Sequence, residues 1–140
     1  MPPALRIDSL WKCYAAGIRG CSARVWVLRD LCLTVHAGER VAIVGGAGAG
    51  KSTLAACILG LRVPDFGRVE IAGELEIIRE QDLARAKCRS GRASVVALAR
   101  GADQVRDWAD HLMLLRDGHL YDATLQQARR VAECSVAHRP

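Results

Sequence analysis

Aromatic residues are scarce in this chain, with one Phe, two Tyr and three Trp among 140 residues. The core must therefore be assembled from Ala, Val, Leu and Ile. Lysine is also rare, three against seventeen arginines, and the net charge of +5 is spread along the chain. No basic stretch is interleaved with aromatics, which argues against a nucleic-acid partner. No apolar run approaches the ~20 residues of a membrane-spanning helix. Met1-Pro2-Pro3-Ala4-Leu5-Arg6 lacks the basic region and apolar stretch of a secretory signal. Six cysteines stand at 13, 21, 32, 57, 88 and 134 without a CxxC pair. Neither a zinc knuckle nor a thiol redox pair is indicated, and the cysteines read as small apolar residues of a reducing compartment.

What is present is a globular balance, 51% hydrophobic and 25% charged. That is enough for one domain with a real core. Residues 5–11 alternate apolar and polar, as a half-buried strand does. Residues 15–24 hold two Gly and little pattern and read as a loop. A second strand pattern runs over 25–35, with Val25, Val27, Leu31, Leu33 and Val35 at odd positions. After a turn at 36–39, Val41-Ala42-Ile43-Val44 is wholly apolar, which fits a strand buried on both faces of a parallel sheet. From Lys51, Leu54, Ile58 and Leu61 keep a helical spacing that Gly60 and Pro64 stop. Further strands are expected at 68–72, 94–99 and 112–115, with Asp117-Gly118 turning into 119–121. Helices are expected at 81–89, after Asp103 with Val105, Trp108 and Ala109 inward, and after a Thr124/Gln127 capping box. The segment 135–140 reads as a frayed end.

One motif carries chemistry. Gly45-Gly46-Ala47-Gly48-Ala49-Gly50-Lys51-Ser52, followed by Thr53, fits G-x-x-x-x-G-K-[ST] between a buried strand and a helix. A loop whose successive N–H groups point at phosphate oxygens needs glycines, for their dihedral freedom and close approach. The helix start adds further N–H donors. Lys51 is placed to reach the β- and γ-phosphates, and the Ser52 hydroxyl to ligate Mg²⁺.

The loop does not stand alone. Around it are Leu10-x-Lys12-x-Tyr14, Val27-Leu28-x-Asp30-Leu31 and Gly38-Glu39-x-Val41-Ala42-Ile43-Val44. Leu59-Gly60-Leu61 and Pro64-x-x-Gly67-x-Val69-x-Ile71-x-Gly73 follow it. Together these resemble the first part of an ABC transporter ATP-binding subunit. A second block, residues 94–99, then Val105-x-x-Trp108-Ala109-Asp110 and Leu114-Leu115-x-Asp117-Gly118, is similar to that family's C-terminal part. The resemblance implies that Tyr14 stacks on adenine through its flat face.

The same resemblance marks what is missing. Between the blocks only residues 74–93 stand where the family has a long insert. There is no LSGGQ-type signature and no apolar run ending in Asp-Glu. Residues 112–115 before Arg116-Asp117-Gly118 come nearest and read as a strand entering a tight turn. The family's switch histidine would fall on Gly101, and His36, His111, His119 and His138 read as surface or turn residues. Gln81 is a candidate for the γ-phosphate-sensing glutamine, although its flanks do not match. On another alignment residues 94–99 replace the acidic strand, with Ala97 and Leu98 in place of the acids.

The expectation is a reduced α/β P-loop NTPase domain spanning 1–140, with parallel core strands, a small N-terminal antiparallel β portion and most of the helical subdomain absent. The resemblance implies an ATP-binding component of an ABC-type transporter, with ATP and Mg²⁺ as cofactors. Its nucleotide site would comprise Tyr14, Gly45, Gly46, Ala47, Gly48, Ala49, Gly50, Lys51, Ser52 and Thr53, with no catalytic carboxylate identified. It implies a cytoplasmic protein, peripheral at the membrane face, whose partners are membrane-spanning transporter subunits and not nucleic acid. Without a signature, the family's head-to-tail ATP-sandwich dimer is not expected. Two alternatives stay open: a non-hydrolysing nucleotide-binding regulatory module, and a poorly folded remnant of a deleted gene.

Overall fold

The computed structural model describes residues 3–18, 21–87, 93–123 and 129–130. Two sheets carry the architecture. An antiparallel sheet of order β2-β1-β4 joins β1 (Leu5–Ile18), β2 (Cys21–Val35) and β4 (Phe66–Ile71). A six-stranded sheet of order β5-β6-β3-β7-β8-β9 is built on β3 (Arg40–Val44). Its other members are β5 (Leu75–Ile78), β6 (Ser94–Ala99), β7 (His111–Arg116), β8 (His119–Asp122) and β9 (Arg129–Arg130). β3 runs parallel to both β6 and β7, and β5 runs parallel to β6. The chain is thus a reduced α/β fold with a parallel core and an N-terminal antiparallel portion.

β3 shows why a wholly apolar run was needed. Val41 and Ile43 face a core shared with Leu5, Leu10, Leu28 and Leu31 of the antiparallel sheet and Leu54 of helix α1 (Lys51–Ile58). Ala42 and Val44 face a second core with Ile78, Leu83 and Val105. β6 divides in the same way, Val96 and Leu98 to the first core, Val95, Ala97 and Ala99 to the second. A strand covered on both faces has no polar face to show. Its start is tied down by side chains. Asp110 accepts the Arg40 N–H (2.9 Å), and the buried Ser94 hydroxyl accepts the Gly38 N–H (2.9 Å) of the preceding turn.

Several expectations need correction. Residues 15–18 and 21–24 are not loop but strand, the ends of β1 and β2 paired antiparallel, where Ala15 pairs with Arg24 and Ile18 with Cys21. Strand pairing propagated from the core end overrides the weak local pattern. The odd-position rule for β2 also breaks, because Leu28 is buried while Val25 is half exposed. Register shifts in the β1–β2 ladder, with Asp30 at φ 47, change the phase. A four-residue strand, β5, was not anticipated in 74–93. It leads into a 3₁₀ turn (Glu80–Asp82) and the short helix α2 (Leu83–Lys87), so the helix expected over 81–89 is shorter in its described part.

The helix expected after Asp103 is a 3₁₀ turn (Ala102–Gln104) followed by turns. It is capped by the Gln104 amide oxygen, which accepts the Arg100 and Gly101 N–H groups (3.2 and 3.4 Å), rather than by Asp103. Val105 is still its buried anchor. Arg129–Arg130 is a strand pairing with Tyr121 and Asp122, not part of a last helix. The Thr124/Gln127 box, His138 and the segment 135–140 lie outside the described residues. His119 belongs to β8 rather than to a turn or the surface, and is half-buried there. Cys13 and Cys57 are free thiols, but Cys32 is disulfide-bonded. Spatial approach of the backbones decides such pairing, and sequence spacing does not reveal it.

Candidate functional site: the phosphate loop and its cleft

The loop after β3 leaves the carboxyl end of the parallel sheet, the side on which open α/β sheets bind ligands. Gly45 donates its N–H to the Ala99 carbonyl at the end of β6 (3.0 Å), which fixes the loop's first residue. Residues 46–50 then turn back to α1. Gly50 precedes the helix at φ 107, and a Cβ there would stand 3.2 Å from Leu28 and 3.3 Å from Val27. Only glycine meets both demands at that position. No side chain caps the helix and no acid occupies its first turn. The N–H groups at its start are therefore left to solvent or to a ligand.

Lys51 folds its ammonium onto the carbonyls of Gly45 (2.5 Å) and Ala99 (3.2 Å). These contacts hold the cation over the loop mouth, where a phosphate would exchange for one of them. Ser52 is exposed on the same helix turn, and Thr53 is half-buried. α1 ends in a Schellman motif: the Leu61 N–H donates to Ala56 (2.8 Å) and the Gly60 N–H to Cys57 (3.3 Å).

Beside the loop is a cleft of about 440 Å³ lined by Lys51, Ser52, Ala55 and Ala56 on one wall and by Arg79, Glu80 and Gln81 on the other. Leu59, Leu61 and Leu98 complete it. The second wall is placed by β5, whose Ile78 pairs with Ala97 of β6, two strands from β3. The structure thus brings Gln81 to Ser52 and Lys51, although its flanks do not match the family pattern. It also brings two residues outside the anticipated site, Arg79 and Glu80. Their signal was present as four residues of strand pattern before Arg79, too short to stand out. Glu80 forms an ion pair with Arg100 (3.5 Å), next to Gly101.

Tyr14 does not line this cleft. It lies on β1 opposite Val25, with Lys12 and Arg62 over its ring at 5.3 and 5.7 Å. Asp65 ties the segment after α1 to β1 nearby, accepting the Cys13 N–H (2.7 Å) with Lys12 at 3.8 Å. That backbone hydrogen bond foremost, opposed by some desolvation and helped by Lys12, holds the Asp65 carboxyl below its ordinary value. Cys57, on the buried side of α1, has its thiol pushed up by burial, with Lys12 and Arg62 opposing. The 112–115 run enters a hairpin at Asp117 and Gly118 (φ 52 and 80), a type I′ turn, so it ends in a turn and not in an acidic centre. Among the described residues no group of three or more His, Cys, Asp or Glu is placed to hold a metal.

Comparison with known proteins agrees with this geometry. A family profile described as ABC transporter matches residues 28–131. The lipoprotein-releasing system ATP-binding protein LolD of a Ruegeria species is 51% identical over 85 residues, covering 61% of this chain and 33% of that protein. The methionine import ATP-binding protein MetN 1 of Rhodopseudomonas palustris is 44% identical over 82 residues, covering 58% of this chain and 21% of that protein. This chain therefore spans a third or less of the length of these curated relatives. In structure it is similar to cbiO1 from Clostridium perfringens, part of the ABC transporter complex cbiONQ. The TM-score is 0.65 at 12% identity, covering 86% of this chain and 87% of that one. With the profile matching well over half of its residues around an intact strand–loop–helix, the chain belongs to the ABC transporter family.

Proposed function

We propose that this chain is a nucleotide-binding component of an ABC transporter, holding ATP or ADP by its phosphates at residues 45–53. The observation that carries the reading is the strand–loop–helix unit itself. β3 is clamped between two parallel neighbours, and α1 starts with uncapped N–H groups and Lys51 over the loop. Anion binding at such a site needs backbone donors and one cation, all of them local. Tyr14 is the candidate for the base, with its ring face shared with Lys12 and Arg62 until adenine displaces them. The whole of 1–140 acts as one nucleotide-binding unit that lacks most of the family's helical subdomain. Its partners are membrane-spanning subunits at the cytoplasmic face, as the membership of cbiO1 in a complex suggests.

Mg²⁺ fits here only as a passenger on the nucleotide. Ser52 offers one hydroxyl, and the one carboxylate of the cleft lining, Glu80, is already paired with Arg100. Bound there, the metal would neutralise charge on the β- and γ-phosphates. The protein's own part is to orient the phosphates through the loop N–H groups and Lys51. Gly101 brings no side chain to the reaction, and turnover is expected to be slow.

Thermal melts with and without Mg-ATP and Mg-ADP test this reading. Ligand at a hundredfold excess over its Kd stabilises by about 2.7 kcal/mol, which for a domain of this size is roughly 5–11 °C. Wild type should shift and Lys51→Ala should shift little or not at all. Phosphate release by wild type should stay below about one per second. A cooperative melt unmoved by millimolar nucleotide would overturn the binding reading.

A further inference from the structure

The cleft beside the phosphate loop carries an unusual charge set. Its charged lining consists of Lys51, Arg79 and Glu80. Glu80 is engaged by Arg100 at 3.5 Å, so Arg79 is not its partner in that ion pair. The cleft therefore presents two cations, one on each wall, and a single carboxylate that is already paired with a third cation. Lys51 belongs to the loop. Arg79 comes from the end of β5, carried there by the parallel pairing of Ile78 with Ala97, and is exposed. The neighbouring 3₁₀ turn fixes its backbone, since the Asp82 N–H donates to the Arg79 carbonyl (2.9 Å).

A triphosphate brings several negative charges into this space. A divalent metal shared between protein and phosphates needs oxygen ligands, commonly one or two carboxylates. Here the cleft lining offers the Ser52 hydroxyl and the Gln81 amide oxygen but no carboxylate free of an ion pair, and it places a guanidinium opposite. A guanidinium is planar, weakly hydrated and matched to two phosphate oxygens at once, which makes its hydrogen bonds the strong, charge-assisted kind. Resting on the nucleotide reading above, we infer that Arg79 takes the outer phosphates of the bound nucleotide in the role a metal would otherwise fill, so that nucleotide binds this chain without Mg²⁺.

Titration calorimetry with ATP, in Mg²⁺ and again in EDTA, tests the inference on wild type, Arg79→Ala and Arg79→Asp. Wild-type affinity should agree within about threefold between the two buffers. Arg79→Ala should lose about tenfold or more in EDTA, the worth of one charge-assisted contact, and lose less in Mg²⁺. Arg79→Asp should bind only with Mg²⁺. The side chain is exposed, so both variants are expected to keep the wild-type melt without ligand, which checks that they fold. Wild-type binding that appears with Mg²⁺ and vanishes in EDTA overturns the inference and leaves the nucleotide reading standing. Unchanged affinity of Arg79→Ala in EDTA also overturns it. Absence of ATP binding in both buffers overturns the nucleotide reading itself.

Discussion

At the scale of single residues, Asp65 shows how a small contact shapes the surroundings of a candidate site. It joins the segment after α1 to β1 one residue from Tyr14, through the Cys13 N–H and Lys12. Its folded carboxyl titrates below the ordinary value of 3.8, chiefly through the Cys13 hydrogen bond. The stability this gives is fully present above 3.8 and is lost as the pH falls through the lower folded value. Asp65→Ala should therefore melt lower than wild type at neutral pH, and the two melting temperatures should converge on acidification below that window. Curves that stay parallel from neutral to strongly acid pH would contradict the assignment. The candidate residues of the loop were legible by type. Gly45 and Gly50 leave no room for a Cβ, and Lys51 bridges the Gly45 and Ala99 carbonyls. Arg79 and Glu80 were not legible, since only the parallel pairing of a four-residue strand brings them to the loop.

At the scale of elements, strength of pattern decided what could be read. β3 from Val41 onward and β6 were plain because both faces of each are buried and every residue there is apolar or small. The Asp117-Gly118 turn was plain because its residue types fix its backbone. The strand ends at 15–18 and 21–24, β5 and β9 were missed, because long-range pairing holds them and their own composition does not. The end of α1 was anticipated at Gly60 and Pro64, and its Schellman geometry gives a clean test. Gly60 stands at φ 78 with open space where a Cβ would be, so Gly60→Ala meets no neighbour and bears only the backbone term. That term is about 1–2 kcal/mol for a residue forced left-handed, a loss of roughly 2–8 °C in melting temperature. A loss of that size with an unchanged nucleotide-induced shift would place the effect in the helix end. A variant as stable as wild type would mean that α1 does not stop in this motif.

For the whole molecule, two sheets share one core through α1, and the phosphate loop sits where they meet. Leu5, Leu10, Leu28 and Leu31 pack with Ile43 and Leu54, and the Arg29 N–H donates to the Gly118 carbonyl (2.8 Å), linking β2 to the β7–β8 turn. On the proposed reading, this arrangement makes one half of a nucleotide site. In the family that the chain resembles, the other half is the signature of a second subunit, which closes over the γ-phosphate, and no signature stands in this sequence. A stable, specific dimer buries about 1,200–2,000 Å², and this sequence has no signature with which a second copy would read the γ-phosphate. ATP should therefore bind without driving association. Light scattering of wild type at saturating ATP should give the same mass as with ADP or without nucleotide. β5 lies at the end of the strand order among the described residues, so its edge can pair copies, but that pairing would not respond to the γ-phosphate. A mass that doubles with ATP and not with ADP would require a γ-phosphate-reading surface elsewhere on the chain, and would overturn the half-site reading.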